Sequence, residues 1–306
     1  MREAFHYPVG TPGQPWGALE KAQWLARQRR QRSHADDVVA AVERLRDRID
    51  VECYGQVEAS SQRYPLLALR TRSWHASRPT LLVTGGVHGY ETSGVLGALA
   101  FAREHMAGYG GQANILLVPC VSPWAWEHVQ RWNAQALDPN RNFRADSPCV
   151  ESAALWRLLE QLRQVIVMHI DLHETTDSDE GEFRPALAAR DGLAFEPGEI
   201  PDGFYLVDDE DQPQPEFQAA VIAAVADVTH IAPADAHGQI IGSDVVAPGV
   251  IRYRLRELGL CAGITDARYR TTTEVYPDSL RTNPQQCIDA QVAAVDAAIG
   301  FALATH

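Results

Sequence analysis

The sequence predicts an α/β fold whose parallel sheet is covered by helices on both faces. Short, continuous apolar runs are typical of strands buried on both sides, and three of them read "PTLLVTGG", "ANILLVPCVSP" and "QVIVMHIDLHET". Segments with helical spacing separate these runs, notably "TSGVLGALAFAREH" and "CVESAALWRLLEQLR". Because this alternation is typical of βαβ units, we expect functional side chains in the loops at the carboxyl ends of the strands.

The remaining segments complete the predicted order of elements. A helix is predicted in "HADDVVAAVERLRDRID", strands in "YPLLALRTRS" and "TTTEVYP", and further helices in "EFQAAVIAAVADVTHIA" and "TNPQQCIDAQVAAVDAAIGFALATH". The stretch from Thr175 to about Pro215 is acidic and irregular, which predicts a loop insertion. We expect one catalytic domain over residues 1–306, with residues 1–34 as a surface lead-in that carries a short helix.

The composition narrows the class of function. Lys and Arg total 27 and Asp and Glu total 40, giving a formal net charge of −13, which argues against nucleic acid or an anionic membrane as the partner. The five cysteines include no C-x-x-C pair, a usage that fits a reducing compartment. The chain opens without an apolar h-region, and no uncharged apolar run reaches about 18 residues, so we expect a cytoplasmic protein.

A histidine and a glutamate follow the first buried strand, in "LLVTGGVHGYETSG". His88 and Glu91 lie between a Gly85-Gly86 turn and a helix, and His173 lies at the end of a later strand. Two imidazoles and one carboxylate form a ligand set that a catalytic zinc uses when one coordination position stays open. An H-x-x-E pair alone is commonplace, but its position at a strand end predicts a metal site.

The segment "RWNAQALDPNRNF" offers partners for such a site. Asp138 could accept the second N–H of a ligating histidine. Arg141 is a planar fork suited to a carboxylate, with Asn140 beside it as a neutral donor. Arg131 could direct positive charge at an oxyanion. For any one of these residues alone, a surface ion pair is the simpler interpretation.

Glu274, in "TTTEVYP", is unusual for its context because β-branched strands rarely contain glutamate. As a functional residue it would be the general base that activates water. The alternative is an exposed residue on an edge strand.

Taken together, these motifs resemble the zinc carboxypeptidase family, of the metallocarboxypeptidase superfamily that also includes succinylglutamate desuccinylase and aspartoacylase. "HGYE", Arg131, "DPNRNF", "DLHET" and "TTTEV" occur in the order that the family shows, over residues 81–277. Each motif is weak alone, and the full set in order is specific. The resemblance implies a mixed, largely parallel, twisted sheet of about eight strands between helices.

The resemblance also implies a Zn²⁺ cofactor bound by His88, Glu91 and His173. It implies a metallocarboxypeptidase that hydrolyses a C-terminal peptide or amide bond, so the partner is a peptide or small amide substrate with a free carboxylate.

Four further roles follow from the same resemblance. Asn140 and Arg141 would hold the C-terminal carboxylate of the substrate, and Arg131 would stabilise the tetrahedral oxyanion. Glu274 would accept a proton from the attacking water and pass it to the leaving amine. Many members also have a tyrosine that contacts substrate, for which Tyr253 and Tyr269 are both candidates.

Two other functions compete with this one. A desuccinylase/aspartoacylase-like enzyme would remove acyl groups from amino acids. Two features speak against it: members of that group usually lack the second asparagine that "NRNF" has here, and they carry a sizeable domain after the catalytic glutamate, whereas only 306 − 274 = 32 residues follow Glu274 in this sequence. A non-catalytic relative would bind a peptide, but we would expect it to have lost a ligand or the base. A serine or cysteine hydrolase has no support, because no G-x-S-x-G motif occurs and no cysteine lies in a recognisable nucleophile context.

Overall fold

A computed structural model describes residues 7–162 and 164–306, so the first six residues of the predicted lead-in lie outside the described part. Its centre is an eight-stranded sheet in the order β1-β2-β4-β3-β5-β10-β6-β9, and β7 and β8 form a separate hairpin. The strands are β1 Ile49–Ala59, β2 Gln62–Thr71, β3 Thr80–Gly85, β4 Asn114–Val118, β5 Ile166–Glu174, β6 Tyr205–Asp209, β7 Gln239–Ile240, β8 Ser243–Asp244, β9 Val250–Tyr253 and β10 Tyr269–Val275.

Helices cover both faces of this sheet. The α-helices are α1 Ala18–Arg27, α2 Ala40–Glu43, α3 Thr92–Glu104, α4 Pro123–His128, α5 Val150–Leu162, α6 Arg184–Asp191, α7 Pro215–Ala226 and α8 Pro284–Thr305. Short π-helical segments occupy Ala35–Val39 and Asp179–Phe183, and 3-10 turns occupy Met106–Tyr109, Pro139–Arg141 and Cys261–Gly263.

The sheet is mixed and largely parallel, which confirms the predicted fold class. Its central pairs, β4–β3, β3–β5 and β5–β10, are parallel, as is the outer pair β6–β9. The pairs β1–β2, β2–β4 and β10–β6 are antiparallel.

The continuous apolar runs are explained by burial on two sides. In β3, Leu81 and Val83 pack into the cluster beneath α3, α7 and α8, whereas Leu82 packs into the cluster beneath α5. All six residues of β3 are buried, as are all five of β4. Because neither face of these strands meets water, the alternation of polar and apolar residues that marks a half-exposed strand is absent from their sequence.

Helix α8 is long and apolar enough, by length and hydropathy alone, to cross a membrane. It packs instead as a core helix: Ala290, Ala294 and Ala298 are completely buried against the sheet and α3. Its Gln291 donates to the carbonyl oxygen of His173 at 2.8 Å and accepts from the hydroxyl of Thr273 at 2.6 Å. The helix therefore ties together β5 and β10, the two strands that carry His173 and Glu274.

The predicted loop insertion between Thr175 and Pro215 was partly wrong. This stretch contains α6 and the sheet strand β6. The sequence did not predict β6 because the strand contains acidic residues. Asp208 and Asp209 are buried, and they form ion pairs with Arg252 and Arg270 of the neighbouring strands. A buried aspartate is compatible with a strand when an arginine from the next strand neutralises it.

The predicted helix at residues 34–50 is shorter than expected, since α2 ends at Glu43 and β1 begins at Ile49. The lead-in carries the expected short helix, α1, and its Trp16 and Trp24 are buried against Trp132. Residues 7–34 thus add an aromatic cluster to the body of the protein.

Candidate metal centre and substrate cleft

The structure brings His88, Glu91 and His173 together at one point. Each side chain is 1% exposed, and one ligand atom from each lies within 4.8 Å of the others. The Nδ1 atom of His88 lies 2.6 Å from Oε1 of Glu91, and Nδ1 of His173 lies 2.8 Å from Oε2. Both imidazoles therefore present the same nitrogen to a single carboxylate.

The glycine-rich loop makes this approach sterically feasible. Gly86 has a φ of +62°, a conformation in which a side chain would be strained. At Gly89 a Cβ atom would stand 1.9 Å from the carbonyl carbon of Ala125 in α4. The loop between β3 and α3 therefore passes directly against α4, and only glycine permits this path with His88 turned inward.

The other nitrogen of each histidine is held by a second carboxylate. Nε2 of His88 lies 3.0 Å from Oδ1 of Asp138, and Nε2 of His173 lies 2.6 Å from Oδ2 of Asp171. When the ring is neutral, such a pairing places the proton on Nε2 and leaves the lone pair of Nδ1 directed at the shared point, as a metal ligand requires.

The donor set fits a divalent cation. Oε2 of Glu91 is buried and forms no hydrogen bond within residues 7–162 and 164–306, although Nδ1 of His173 is close by. Burial raises the pKa of Glu91, but the two imidazoles outweigh it and bring the pKa down to about 2. An ionised carboxylate and two imidazoles oriented in this way form an N,N,O set typical of zinc.

Asp138 connects the His88–Glu91–His173 cluster to Arg131. Its Oδ1 also accepts the backbone N–H of Asn140 at 2.9 Å, and its Oδ2 accepts Nε of Arg131 at 3.1 Å. Burial raises the pKa of Asp138, but the charges of Arg131 and His88 outweigh it and hold the pKa well below the ordinary value. Asp138 is therefore ionised and orients His88, in the position that the sequence analysis expected.

Arg131 lies in the cleft but is more constrained than its sequence context indicated. Its Nη1 donates to the hydroxyl of Tyr90 at 3.2 Å and to Oδ1 of Asp179 at 3.4 Å. Tyr90 itself donates to Asp179 at 2.8 Å. These bonds occupy Nε and Nη1, so Nη2 is the part of the guanidinium that could meet a substrate.

Asn140 and Arg141 line the same cleft. Asn140 is buried, and its Oδ1 accepts the backbone N–H of Cys261 at 2.7 Å. Arg141 is exposed and donates to the carbonyl oxygen of Asn140 at 2.6 Å. In the part of the chain that the structure describes, Arg141 forms no ion pair with a carboxylate, which leaves its guanidinium available to an anionic ligand.

Glu274 does not lie on an edge strand. Strand β10 runs between β5 and β6, and Glu274 is the register partner of His173 on one side and of Tyr205 on the other. Its Oε2 accepts the hydroxyl of Thr175 at 2.9 Å, and that hydroxyl lies 2.8 Å from the hydroxyl of Tyr205. Burial and the charge of Glu91 raise the pKa of Glu274 to about 8. The geometry excludes the edge-strand alternative.

One cleft of about 450 Å³ is lined by seven of the predicted site residues: His88, Glu91, Arg131, Asp138, Asn140, Arg141 and Glu274. His173 lies directly behind Glu91, with its Nδ1 atom 2.8 Å from Oε2. Tyr253 lines it, whereas Tyr269 packs in the core against Phe217 and Phe301. Of the two tyrosines that the sequence left open, only Tyr253 can therefore contact a substrate in this cleft.

The roles of several residues in and behind the cleft were not identified from the sequence. The role of Asp171 could have been inferred from its position two residues before His173 on the same strand face. Asp179, Tyr90 and Thr175 gave no such signal, because their contacts join segments that are distant in the chain.

The sequence and the fold were compared with those of known proteins. Residues 77–182 match the model of the Succinylglutamate desuccinylase/Aspartoacylase catalytic domain. No curated protein sequence matches the chain. A presumed metallopeptidase from Shewanella denitrificans OS217 superposes with a TM-score of 0.64 at 19% identity, over 87% of this chain and 89% of that one.

Two further structures extend the comparison. A metallo-carboxypeptidase from Burkholderia cenocepacia superposes with a TM-score of 0.58 at 16% identity, over 95% of this chain and 70% of that one. Bovine thrombin-activatable fibrinolysis inhibitor, in complex with tick carboxypeptidase inhibitor, gives a TM-score of 0.53 at 14% identity, over 96% and 99%. The fold is that of the metallocarboxypeptidase superfamily. The resemblance predicted from the sequence motifs is thereby confirmed.

Proposed function

We propose that the protein is a zinc-dependent hydrolase of the carboxypeptidase type, which cleaves an amide bond next to a free carboxylate. One observation carries the proposal: His88 and Glu91 of the His88–Glu91–His173 cluster line a single cleft together with Glu274 and Arg141, and Arg141 has no carboxylate partner among the described residues. A metal set, a base and an anion receptor within one cleft are the parts that hydrolysis of such a bond requires.

The metal would be held by Nδ1 of His88, by Nδ1 of His173 and by the carboxylate of Glu91. A divalent cation bound there supplies Lewis acidity toward a carbonyl oxygen and lowers the pKa of water. Asp138 and Asp171 fix the tautomers of the two histidines from behind.

Glu274 is suited to move the proton in this reaction. A pKa of about 8 lies near neutral pH, where a group can both accept and return a proton, which is the condition for efficient general acid–base catalysis. Thr175 holds one carboxylate oxygen at 2.9 Å. That bond leaves the other oxygen, Oε1, to take a proton from water and deliver it to the leaving amine.

Arg141 and Arg131 would divide the recognition of negative charge. Arg141, without a carboxylate partner among the described residues, is available for the carboxylate of the substrate. Arg131 forms ion pairs with Asp138 and Asp179, which fix its position and partly neutralise its charge. We infer that it stabilises the developing oxyanion through Nη2.

A second candidate shares this chemistry. The match of residues 77–182 to the Succinylglutamate desuccinylase/Aspartoacylase catalytic domain favours a deacylase that releases an amino acid from an N-acyl amino acid. Both reactions break an amide bond to an amino acid that carries a free carboxylate, so they differ in what lies on the acyl side of the bond.

A side-by-side assay separates the candidates. The purified protein is loaded with Zn²⁺, its metal content is measured, and it is given peptides with free C-termini, the same peptides amidated, and N-acyl amino acids. We expect hydrolysis of the free peptides and little of the amidated ones. Preference for N-acyl amino acids would establish the deacylase, and failure on every substrate by a metal-loaded sample would contradict both.

A further inference from the structure

Strand β5 carries a buried histidine in addition to the candidate metal ligand. His169, Asp171 and His173 occupy alternate positions of this strand, so all three point to the same face of the sheet. Asp171 lies 2.6 Å from the Nε2 atom of His173. His169 is completely buried and does not line the cleft. An imidazole in such a place calls for a reason, because burial of a polar group is unfavourable unless its hydrogen bonds are satisfied.

Thr84, on the neighbouring strand β3, links His169 to Asp171. It is the register partner of Asp171 and is completely buried. Its hydroxyl donates to Oδ1 of Asp171 at 2.6 Å. Its oxygen lies 3.0 Å from Nε2 of His169 and accepts the thiol of Cys261 at 3.5 Å. Because Asp171 faces His173 with its other oxygen, Oδ2, a continuous chain of contacts leads from His169 to His173.

The hydrogen bonds of this chain converge on Asp171. An ionised carboxylate only accepts, so the short contact with Thr84 uses the single hydroxyl proton of the threonine. The oxygen of Thr84 must then accept the Nε2–H of His169. Burial lowers the pKa of His169 to about 4, although Asp171 and the carbonyl group of Ala262 act in the opposite direction. The ring is therefore neutral, and its one proton is on Nε2.

Stability alone does not explain His169. Its Nδ1 atom is buried and forms no hydrogen bond among the described residues. An apolar side chain of similar size would remove this unsatisfied nitrogen from the interior. The one bond that His169 donates holds the hydroxyl of Thr84, and Thr84 in turn holds one oxygen of Asp171. A carboxylate that orients a metal-ligating histidine must itself be held by hydrogen bonds.

We propose that Thr84 and His169 are positioning residues of the metal centre: the hydrogen bonds from His169 to Thr84 and from Thr84 to Asp171 hold this carboxylate in the orientation that presents Nδ1 of His173 to a metal. The inference rests on the proposed function, since it concerns the metal centre of that enzyme. Neither residue lines the cleft, so both act on the affinity for the metal and not through contacts with the substrate.

The first test compares Thr84→Val with Thr84→Ser. Valine keeps the shape of the side chain and removes the hydroxyl, whereas serine keeps the hydroxyl and removes a methyl group. The affinity for Zn²⁺ is measured by competition with a chromogenic chelator. It should fall about tenfold in Thr84→Val and stay within about twofold of the wild type in Thr84→Ser. A role in packing alone predicts the reverse order, because valine fills the space and serine does not.

The second test asks whether His169 acts through Thr84. His169→Leu removes the donor and should lower the affinity for Zn²⁺ about three- to tenfold, whereas His169→Gln keeps an N–H and should restore most of it. The double variant Thr84→Val/His169→Leu should bind Zn²⁺ as Thr84→Val does, because His169 has no other route to Asp171. Thr80→Val is the control: Thr80 is buried in the same strand, but its hydroxyl binds Gln164, so the affinity should not change.

Two kinds of outcome separate this inference from the proposal on which it rests. If the wild type binds Zn²⁺, then a native affinity in Thr84→Val, a loss in Thr84→Ser as large as in Thr84→Val, or losses that add in the double variant would each overturn this inference alone. A wild type that binds no Zn²⁺ would overturn the proposed function and this inference with it.

Discussion

At the scale of single residues, burial and neighbouring charge decide what each cleft side chain can do. Glu274 has only one hydrogen bond from a hydroxyl, among the described residues, to support its negative charge, and the carboxylate of Glu91 opposes that charge. Asp138 is more deeply buried than Glu274, but Arg131 and His88 hold it ionised. Two carboxylates in one cleft thus have pKa values on opposite sides of the ordinary range, which favours Glu274 over Asp138 as the proposed proton carrier.

Glu274→Gln tests that role. The amide keeps the size of the side chain and its bond from Thr175, but it cannot accept a proton. We expect the variant to bind Zn²⁺ with the same stoichiometry and to lose about 10²- to 10⁴-fold in kcat. Metal analysis and steady-state kinetics on the same preparation provide the measurement, and a native rate with full metal content would rule out Glu274 as the base.

Asp171→Asn tests the support of His173. An amide at this position cannot enforce the tautomer that leaves Nδ1 free, so we expect the affinity for Zn²⁺ to fall about 10- to 100-fold. Competition with a chromogenic chelator measures the affinity. Asp47→Asn is the matched control, because this carboxylate is exposed and remote from the cleft. Equal affinities in wild type and Asp171→Asn would show that the contact is not required.

At the scale of elements, close packing of α3 against α8 fixes the strands that carry the site. Gly97 in α3 faces Gln291 in α8, where a Cβ atom would stand 2.5 Å from Cβ of Gln291. The same Gln291 binds the carbonyl of His173 and the hydroxyl of Thr273. A displacement of α8 relative to α3 would therefore disturb β5 and β10 through the side chain of Gln291.

The variants Gly97→Ala and Gly300→Ala distinguish the effect of packing on stability from the effect of helix propensity. Alanine at either helical position gains about 1 kcal/mol over glycine in propensity. At Gly97 we expect the clash to outweigh this gain, for a net loss of about 1–3 kcal/mol. A Cβ atom added at Gly300 would meet no described atom within 4 Å, so Gly300→Ala should be stabilising. Thermal unfolding measures both, and a stabilised Gly97→Ala would contradict the tight contact.

The elements also show what the sequence could predict. The central strands were predictable because burial on both faces imposes a continuous apolar run. His88 and Glu91 could then be placed in the loop after β3, and His173 at the carboxyl end of β5. Strand β6 was not predictable, since its buried aspartates depend on arginines from other strands. The contact of Asp179 with Arg131 was beyond reach for the same reason: residues 48 positions apart meet only after folding.

At the scale of the whole molecule, the lead-in is bound to the loop that carries two of the candidate metal ligands, His88 and Glu91. Arg32 donates to the carbonyl oxygen of Gly89 at 3.2 Å and to the hydroxyl of Thr92 at 2.7 Å, on either side of Glu91. The backbone N–H groups of Gln31 and Arg32 both donate to the carbonyl oxygen of Glu127 in α4. The lead-in therefore restrains the loop that carries His88 and Glu91 as well as covering the surface.

His34 makes this junction sensitive to pH. The residue is 3% exposed, and burial lowers its pKa to about 4 although Asp37 acts in the opposite direction. The carboxylate of Glu127 accepts the backbone N–H of His34 and not its ring, and Tyr64 packs edge-on against the ring. Because burial outweighs the attraction of Asp37, the folded state favours the neutral ring.

The direction in which pH changes the stability follows from the numbers of protons that the folded and unfolded states bind. An unfolded histidine takes up a proton near pH 6.5, whereas His34 in the folded protein does so near pH 4. Between these values the unfolded state binds more protons, so stability falls as the pH is lowered from about 6.5 toward 4, by about 2–3 kcal/mol at most.

Urea unfolding of the wild type and of His34→Phe at pH 7 and pH 4.5 measures this loss of stability. The phenylalanine variant should lose less stability than the wild type over this interval, because it takes up no proton at this position in either state. Parallel losses in the two proteins would show that His34 contributes nothing to the pH dependence.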